Sequence, residues 1–151
     1  MRGVFLLLTV LAAGFAPART AGAATCGHEA PPEAAERVLS GAADAVLRGS
    51  AEGVVAWVAR GDEARLDLSL PGARGLYTST QAEAVLADYF GRRTVVAVSA
   101  VDGSTTGGGR AFARTYRLRV RSRGGDLEGT LTVGVVRGRE GWSLSDLAGD
   151  V

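Results

Sequence analysis

Arg117, Arg119, Arg121 and Arg123 stand at alternate positions of one segment. In an extended chain that spacing aims four guanidiniums to one side, at intervals of roughly 7 Å. The chemistry open to such a row is docking of an anionic surface, such as lipid headgroups or an acidic partner. A solvated outer face, whose like charges discourage aggregation, accounts for the same spacing and is the reading expected here. Glu128, in the next segment, would offset part of the charge. Other reactive groups are scarce. After Pro31 the chain has no His, Cys or Lys, which excludes histidine-assisted nucleophiles, thiolates and Schiff bases. No cluster of acids suggests a metal site. Cys26-x-His28 supplies too few ligands for one. The glycine-rich stretch Asp102 to Gly109 is no phosphate loop, because no lysine follows and no helix begins there. No metal and no cofactor are expected.

The amino terminus addresses the chain for export. Met1-Arg2-Gly3 precedes the apolar run VFLLLTVLAAGFA, too short to span a bilayer. Ala21-Gly22-Ala23 fits a small-x-small cleavage pattern. The division expected is a signal peptide over 1–23, a flexible leader over 24–34 and one domain over 35–151, periplasmic or secreted after cleavage near Ala23. A membrane partner would require lipid on Cys26. The positions that a lipobox fills with a bulky aliphatic and a small residue hold Ala23 and Thr25 instead, so a free exported domain is expected. Of 17 basic residues, Arg2 and Arg19 leave with the peptide, so 15 face 16 acidic ones. A nearly neutral chain argues against a nucleic-acid partner. The single cysteine excludes an intramolecular disulfide.

Periodicity supplies the elements. Ala35, Val38, Leu39, Ala42, Val46 and Leu47 form a helical stripe that Gly49 ends, and Ser50 can cap a short second helix with Val54, Val55 and Val58 turned inward. Leu66, Leu68 and Leu70 alternate with Arg65, Asp67 and Ser69 as in a half-buried strand, and Pro71-Gly72 ends it. Thr94 to Val101 is apolar on both faces, which suggests an interior strand or one lying against a second copy. Phe112, Arg114, Tyr116, Leu118 and Val120 share one strand face, opposite the arginine row. Gly124-Gly125 fits a tight turn; Leu131, Val133 and Val135 alternate after it, and Trp142 to Leu147 closes the sheet.

Between strand and meander lies the most informative stretch. Thr78 and Gln81 make a capping box, Tyr77 can pack over Ala82, and Ala82, Val85, Leu86, Tyr89 and Phe90 recur on one helical face, with Gly91 as a suitable stop. LDLSLPG followed by GLYTSTQAEAVLADYF resembles the core of the nuclear transport factor 2-like superfamily, in its domain of unknown function 4783 group. Tyr77, Thr78, Gln81, Ala82, Tyr89 and Phe90 carry the likeness, with Thr where relatives have Ser.

The resemblance implies an α+β cone, with N-terminal helices packed on a curved antiparallel sheet. It implies a recess lined by aromatics, for which Trp57, Tyr77, Tyr89, Phe90, Tyr116 and Trp142 are the candidates. A buried Tyr116 would need a hydrogen-bond partner, and Tyr77 is expected to pack at the helix start. Isomerases of the superfamily pair a carboxylate base with a phenol that donates to an enolate oxygen. Asp67 and Tyr116 are the pair this chain offers for an isomerase or lyase, but Asp67 falls on the polar side of its strand and lacks the desolvation that tunes a base. Many relatives also carry a histidine where Val101 stands. The expectation is a non-catalytic domain that binds an apolar small molecule or acts as an interaction module, with homodimerisation through the sheet.

Overall fold

The computed structural model describes residues 29–151; the expected signal peptide, Cys26 and His28 lie outside them. Helix α1 spans Glu33–Leu47 and starts at Pro32, without a side-chain cap. Glu33 and Glu36 in its first turn complement the positive end of the helix. Gly49, at φ +62°, turns the chain into α2 (Ala51–Val55), where the Ser50 hydroxyl accepts the Gly53 N–H. Ala35, Leu39, Ala42 and Val54 are fully buried, so both stripes point inward, except that Leu47, at the last position of α1, is 40% exposed and Val55 is only half-buried.

Strand β1 (Leu66–Leu70) buries Leu66, Leu68 and Leu70 and exposes Asp67 and Ser69. Pro71-Gly72 does not merely end it. Gly72 takes φ +80°, the dihedral that the second residue of a Pro-Gly turn requires. The chain then returns as β2 (Ala73–Tyr77), pairing from Leu66↔Tyr77 to Leu70↔Ala73. The periodicity reading has no β2, because Gly75 interrupts a five-residue segment with little alternation. Helix α3 (Ser79–Arg92) begins with the capping box in full: Thr78 Oγ1 accepts the Gln81 N–H, and Gln81 Oε1 accepts the Thr78 N–H. It runs through Gly91 and stops at Arg93, since glycine is tolerated in a final turn that packing continues.

Four strands follow: β3 (Thr94–Gly108), β4 (Ala111–Ser122), β5 (Gly125–Gly138) and β6 (Gly141–Gly149). All six join one curved sheet in the order β2-β1-β6-β5-β4-β3. The sheet is mixed rather than wholly antiparallel. β6 returns between β5 and β1 and runs parallel to β1, from Asp67↔Asp146 to Ser69↔Ala148. β3 is an edge strand, not an interior one. It also runs on through the glycine-rich stretch to Gly108, and Val101 to Ser104 bulge opposite the single residue Thr115. Ser104 Oγ donates to the Thr115 carbonyl across the bulge.

The helices cover the inner face of the sheet. Leu118, Val120, Leu131, Val133, Leu144 and Leu147 from the strands meet Leu39 and Leu86 from the helices, each at most 1% exposed. Burying a leucine stabilises the fold by about 2 kcal/mol, so this seam holds the helices to the sheet.

Candidate functional site

The aromatics do not gather round one recess. Two open clefts lie at opposite ends of β5, and three of the six aromatics line them. At one end the loop after α2 meets the β5–β6 turn, and Trp57 and Trp142 line a cleft of about 520 Å³ together with Val38, Val58, Arg60 and Arg139. The loop is tied to the sheet: Val58 bridges Leu144, whose N–H donates to the Trp57 carbonyl. The Trp57 indole lies so close over Gly41 of α1 that any side chain there would overlap it. Phe112 packs on Trp142, with ring centroids 5.5 Å apart. Both tryptophans are half-buried.

At the other end, the β1–β2 turn, the end of α3 and the β4–β5 turn enclose a cleft of about 940 Å³. Tyr89 lines it, 4% exposed, with its hydroxyl donating to the Val151 carbonyl. Arg92, Arg93, Arg121 and Arg123 also line it.

Tyr77, Phe90 and Tyr116 line neither cleft. Tyr77 folds back over Gly75, donates to the Arg74 carbonyl and packs half-buried against the edge of the core. Phe90 packs edge-on to Tyr89 at 5.5 Å. Tyr116 is 5% exposed on the inner face of β4, and its hydroxyl has no hydrogen-bond partner among the described residues. Burial pushes this phenol up, while the charge of Arg114 pulls it partly back.

Asp67 and Tyr116 do not meet. β6 and β5 separate their strands, and the two side chains stand on opposite faces, Asp67 exposed and Tyr116 buried. Alternation dictates this: Asp67 sits between inward-facing leucines. Tyr116 instead has an ion pair as its neighbour, one that the sequence reading did not include. Arg114 reaches from the inner face of β4 to Glu36 of α1 through two N–H···O bonds of 2.5 and 2.6 Å, and its Nε donates to Thr105 at 2.8 Å. The Arg114 hydrogen bond holds the Glu36 carboxyl below its usual range, against the opposing effect of burial. A carboxylate so engaged is a weak proton acceptor. The sign was present in the sequence: an arginine on an otherwise apolar strand face needs an opposite charge across the core.

The arginine row divides as well. Arg117, Arg119 and Arg121 are exposed on the outer face of β4, but Arg123 stands in the turn. Arg119 is registered opposite Glu128, and Arg121 pairs with Asp126 at 2.8 Å. Among the described residues, no group of three or more His, Cys, Asp or Glu side chains is placed to hold a metal ion.

The fold is similar to those of several solved structures. The DUF4783 family protein of Bacteroides uniformis ATCC 8492 superimposes with a TM-score of 0.61 at 13% identity, over 75% of this chain and 95% of that one. A Streptomyces avermitilis protein, provisionally named a dehydratase of the NTF2-like family, gives 0.54 at 16% identity, over 73% and 87%. The chain has the nuclear transport factor 2-like fold. A Shewanella frigidimarina protein provisionally named a ketosteroid isomerase superimposes on this NTF2-like domain at 0.60 and 13% identity, over 82% and 98%. No protein-family model matches the sequence, and no curated protein does. At such identities the likeness carries the fold, and the chemistry of the NTF2-like domain rests on its own side chains.

Proposed function

We propose that this chain is an exported binding module whose cleft at Trp57 and Trp142 holds an apolar small molecule. One observation carries the reading. The only two tryptophans of the sequence, from the loop after α2 and from β6, line the same cleft of about 520 Å³. That size falls within the range of small-molecule sites. Two indoles offer a large apolar surface at little entropic cost. Arg60 and Arg139 lie in the same lining and suit a polar or anionic end of the ligand.

A binding role fits this chemistry better than the proton transfer suggested by the names of some similar structures. An isomerase or dehydratase needs a base facing its substrate, and the acidic residue in this lining is Glu140, exposed in the β5–β6 turn. Self-association belongs to the same reading at the β3 edge. Pairing of outer faces would bring Arg117 and Arg119 of two copies together, which like-charge repulsion opposes.

Because both tryptophans are in the cleft, intrinsic fluorescence reports on it directly. Titration with 1-anilinonaphthalene-8-sulfonate, an apolar ring system with an anionic group, is expected to quench tryptophan emission saturably, and less so in Trp142→Ala. Native mass spectrometry of protein purified from its own host is expected to show a retained small molecule and to report the oligomeric state. No retained mass, together with emission that the probe leaves unmoved, would sink the proposal.

A further inference from the structure

We infer that the opposite end of β5 carries a second site, for a small molecule bearing two or more phosphate or carboxylate groups. Its walls are Pro71-Gly72, the end of α3 and the β4–β5 turn, enclosing about 940 Å³. Arg92 and Arg93 come from one segment and Arg121 and Arg123 from another, and folding places all four in one lining. Bringing like charges together is unfavourable unless they are compensated.

Compensation among the described residues is incomplete. Arg92 pairs with Asp88 at 2.7 Å and Arg121 with Asp126 at 2.8 Å. Arg93 and Arg123 have no carboxylate within salt-bridge distance among the described residues. Four guanidiniums thus face two carboxylates, and the two unmatched ones come from different walls.

The site is also shaped in advance. The Arg93 guanidinium sits 4.6 Å over the ring of Tyr89, a cation–π contact that restrains it. Tyr89 is itself held by its bond to Val151. A methyl group added at Gly72 or Gly91 would meet no atom within 4 Å, so these walls leave room for a ligand. Guanidinium forks match phosphate and carboxylate oxygens in pairs. The negative end of α3 points to the same place and works against a singly charged ligand; two anionic groups spanning Arg93 and Arg123 outweigh it. A concave cleft surrounds a free anion on several sides, whereas a bilayer presents a plane. Arg117 and Arg119, which a plane would meet, are on the outer face and outside the lining.

Isothermal titration of the exported chain with pyrophosphate, and separately with citrate, tests this at low ionic strength. One equivalent of at least one of the two is expected to bind saturably and to weaken as salt rises. Arg93→Gln/Arg123→Gln is expected to weaken that binding at least ten-fold, and Arg117→Gln/Arg119→Gln to change it less than two-fold. Equal losses in the two variants would show a diffuse field and overturn the site. So would binding confined to phosphatidylglycerol vesicles, or no saturable binding of either anion. If the cleft variant does not fold, amide shifts at Gly91 and Gly124 in the unsubstituted chain decide, and their absence on adding either anion overturns the site. None of these outcomes touches the tryptophan cleft, so the two proposals stand or fall separately.

Discussion

Arg114 of β4 and Glu36 of α1, 78 residues apart, are joined by two near-parallel N–H···O bonds across the interface of helix and sheet. The Arg114 side chain is 17% exposed and the Glu36 side chain 42%. The pair is therefore shielded enough to matter and wet enough to form without the full desolvation cost of a buried pair. Glu36→Gln keeps the shape and removes the charge. It is expected to destabilise the fold by about 1–2 kcal/mol, read by urea denaturation at neutral pH.

The same pair sets an acid limb. Glu36 has a folded pKa below the ordinary value, so its contribution is complete above about pH 4.3 and is lost as pH falls through the lower folded value. The unsubstituted chain is expected to lose more stability between pH 6 and pH 3 than Glu36→Gln does. Equal losses would show that the ion pair does not couple to folding.

Tyr116 carries a buried hydroxyl without a hydrogen-bond partner among the described residues. Removing it in Tyr116→Phe is expected to stabilise the domain by about 1 kcal/mol, since an unsatisfied buried polar group costs that much or more. At alkaline pH this advantage grows. The raised phenol contributes stability that is complete below about pH 10 and is lost as pH rises through its higher folded value. Thermal melts at pH 7 and pH 10.5 are expected to show Tyr116→Phe ahead at both, by more at the higher. A lower melting temperature for the variant at pH 7 would mean that the hydroxyl has a partner in solution.

Gly41 leaves room for the Trp57 ring. Gly41→Ala is expected to push the indole outward, shift tryptophan emission to the red and cost about 1–3 kcal/mol through overpacking. An unchanged spectrum would place the ring elsewhere.

The capping box at Thr78 is a local device. Thr78→Ala is expected to cost about 1 kcal/mol, with no effect on tryptophan emission, since Thr78 lies in neither cleft. A loss below 0.3 kcal/mol would mean that packing of Leu86 alone holds the start of α3.

Residues near one another in the chain announced much of this fold. The Thr78–Gln81 box, the leucine alternation of β1, the Ser50 cap and the inward stripe of α1 could be read because each depends on dihedral preference and on one period of side-chain direction. The superfamily motif ending at Tyr89-Phe90 pointed to the observed fold on those same local features. β2 escaped notice because five residues with a central glycine carry almost no periodic signal. The Glu36–Arg114 pair was half legible: Arg114 stood out on an apolar face, and nothing local named its partner.

What the sequence determined by itself is which face is wet in the clearly periodic segments, such as β1 and β4, and where each helix begins, because short-range sterics and solvation settle both. Tertiary structure alone decided that β6 inserts beside β1, that β3 becomes an edge, and that Asp67 and Tyr116 stand on opposite faces. It also drew Trp57 to Trp142 and Arg93 to Arg123. The physical reason is that strand order and cleft membership come from competition among distant pairings for one shared core, and no periodicity within a segment records that outcome.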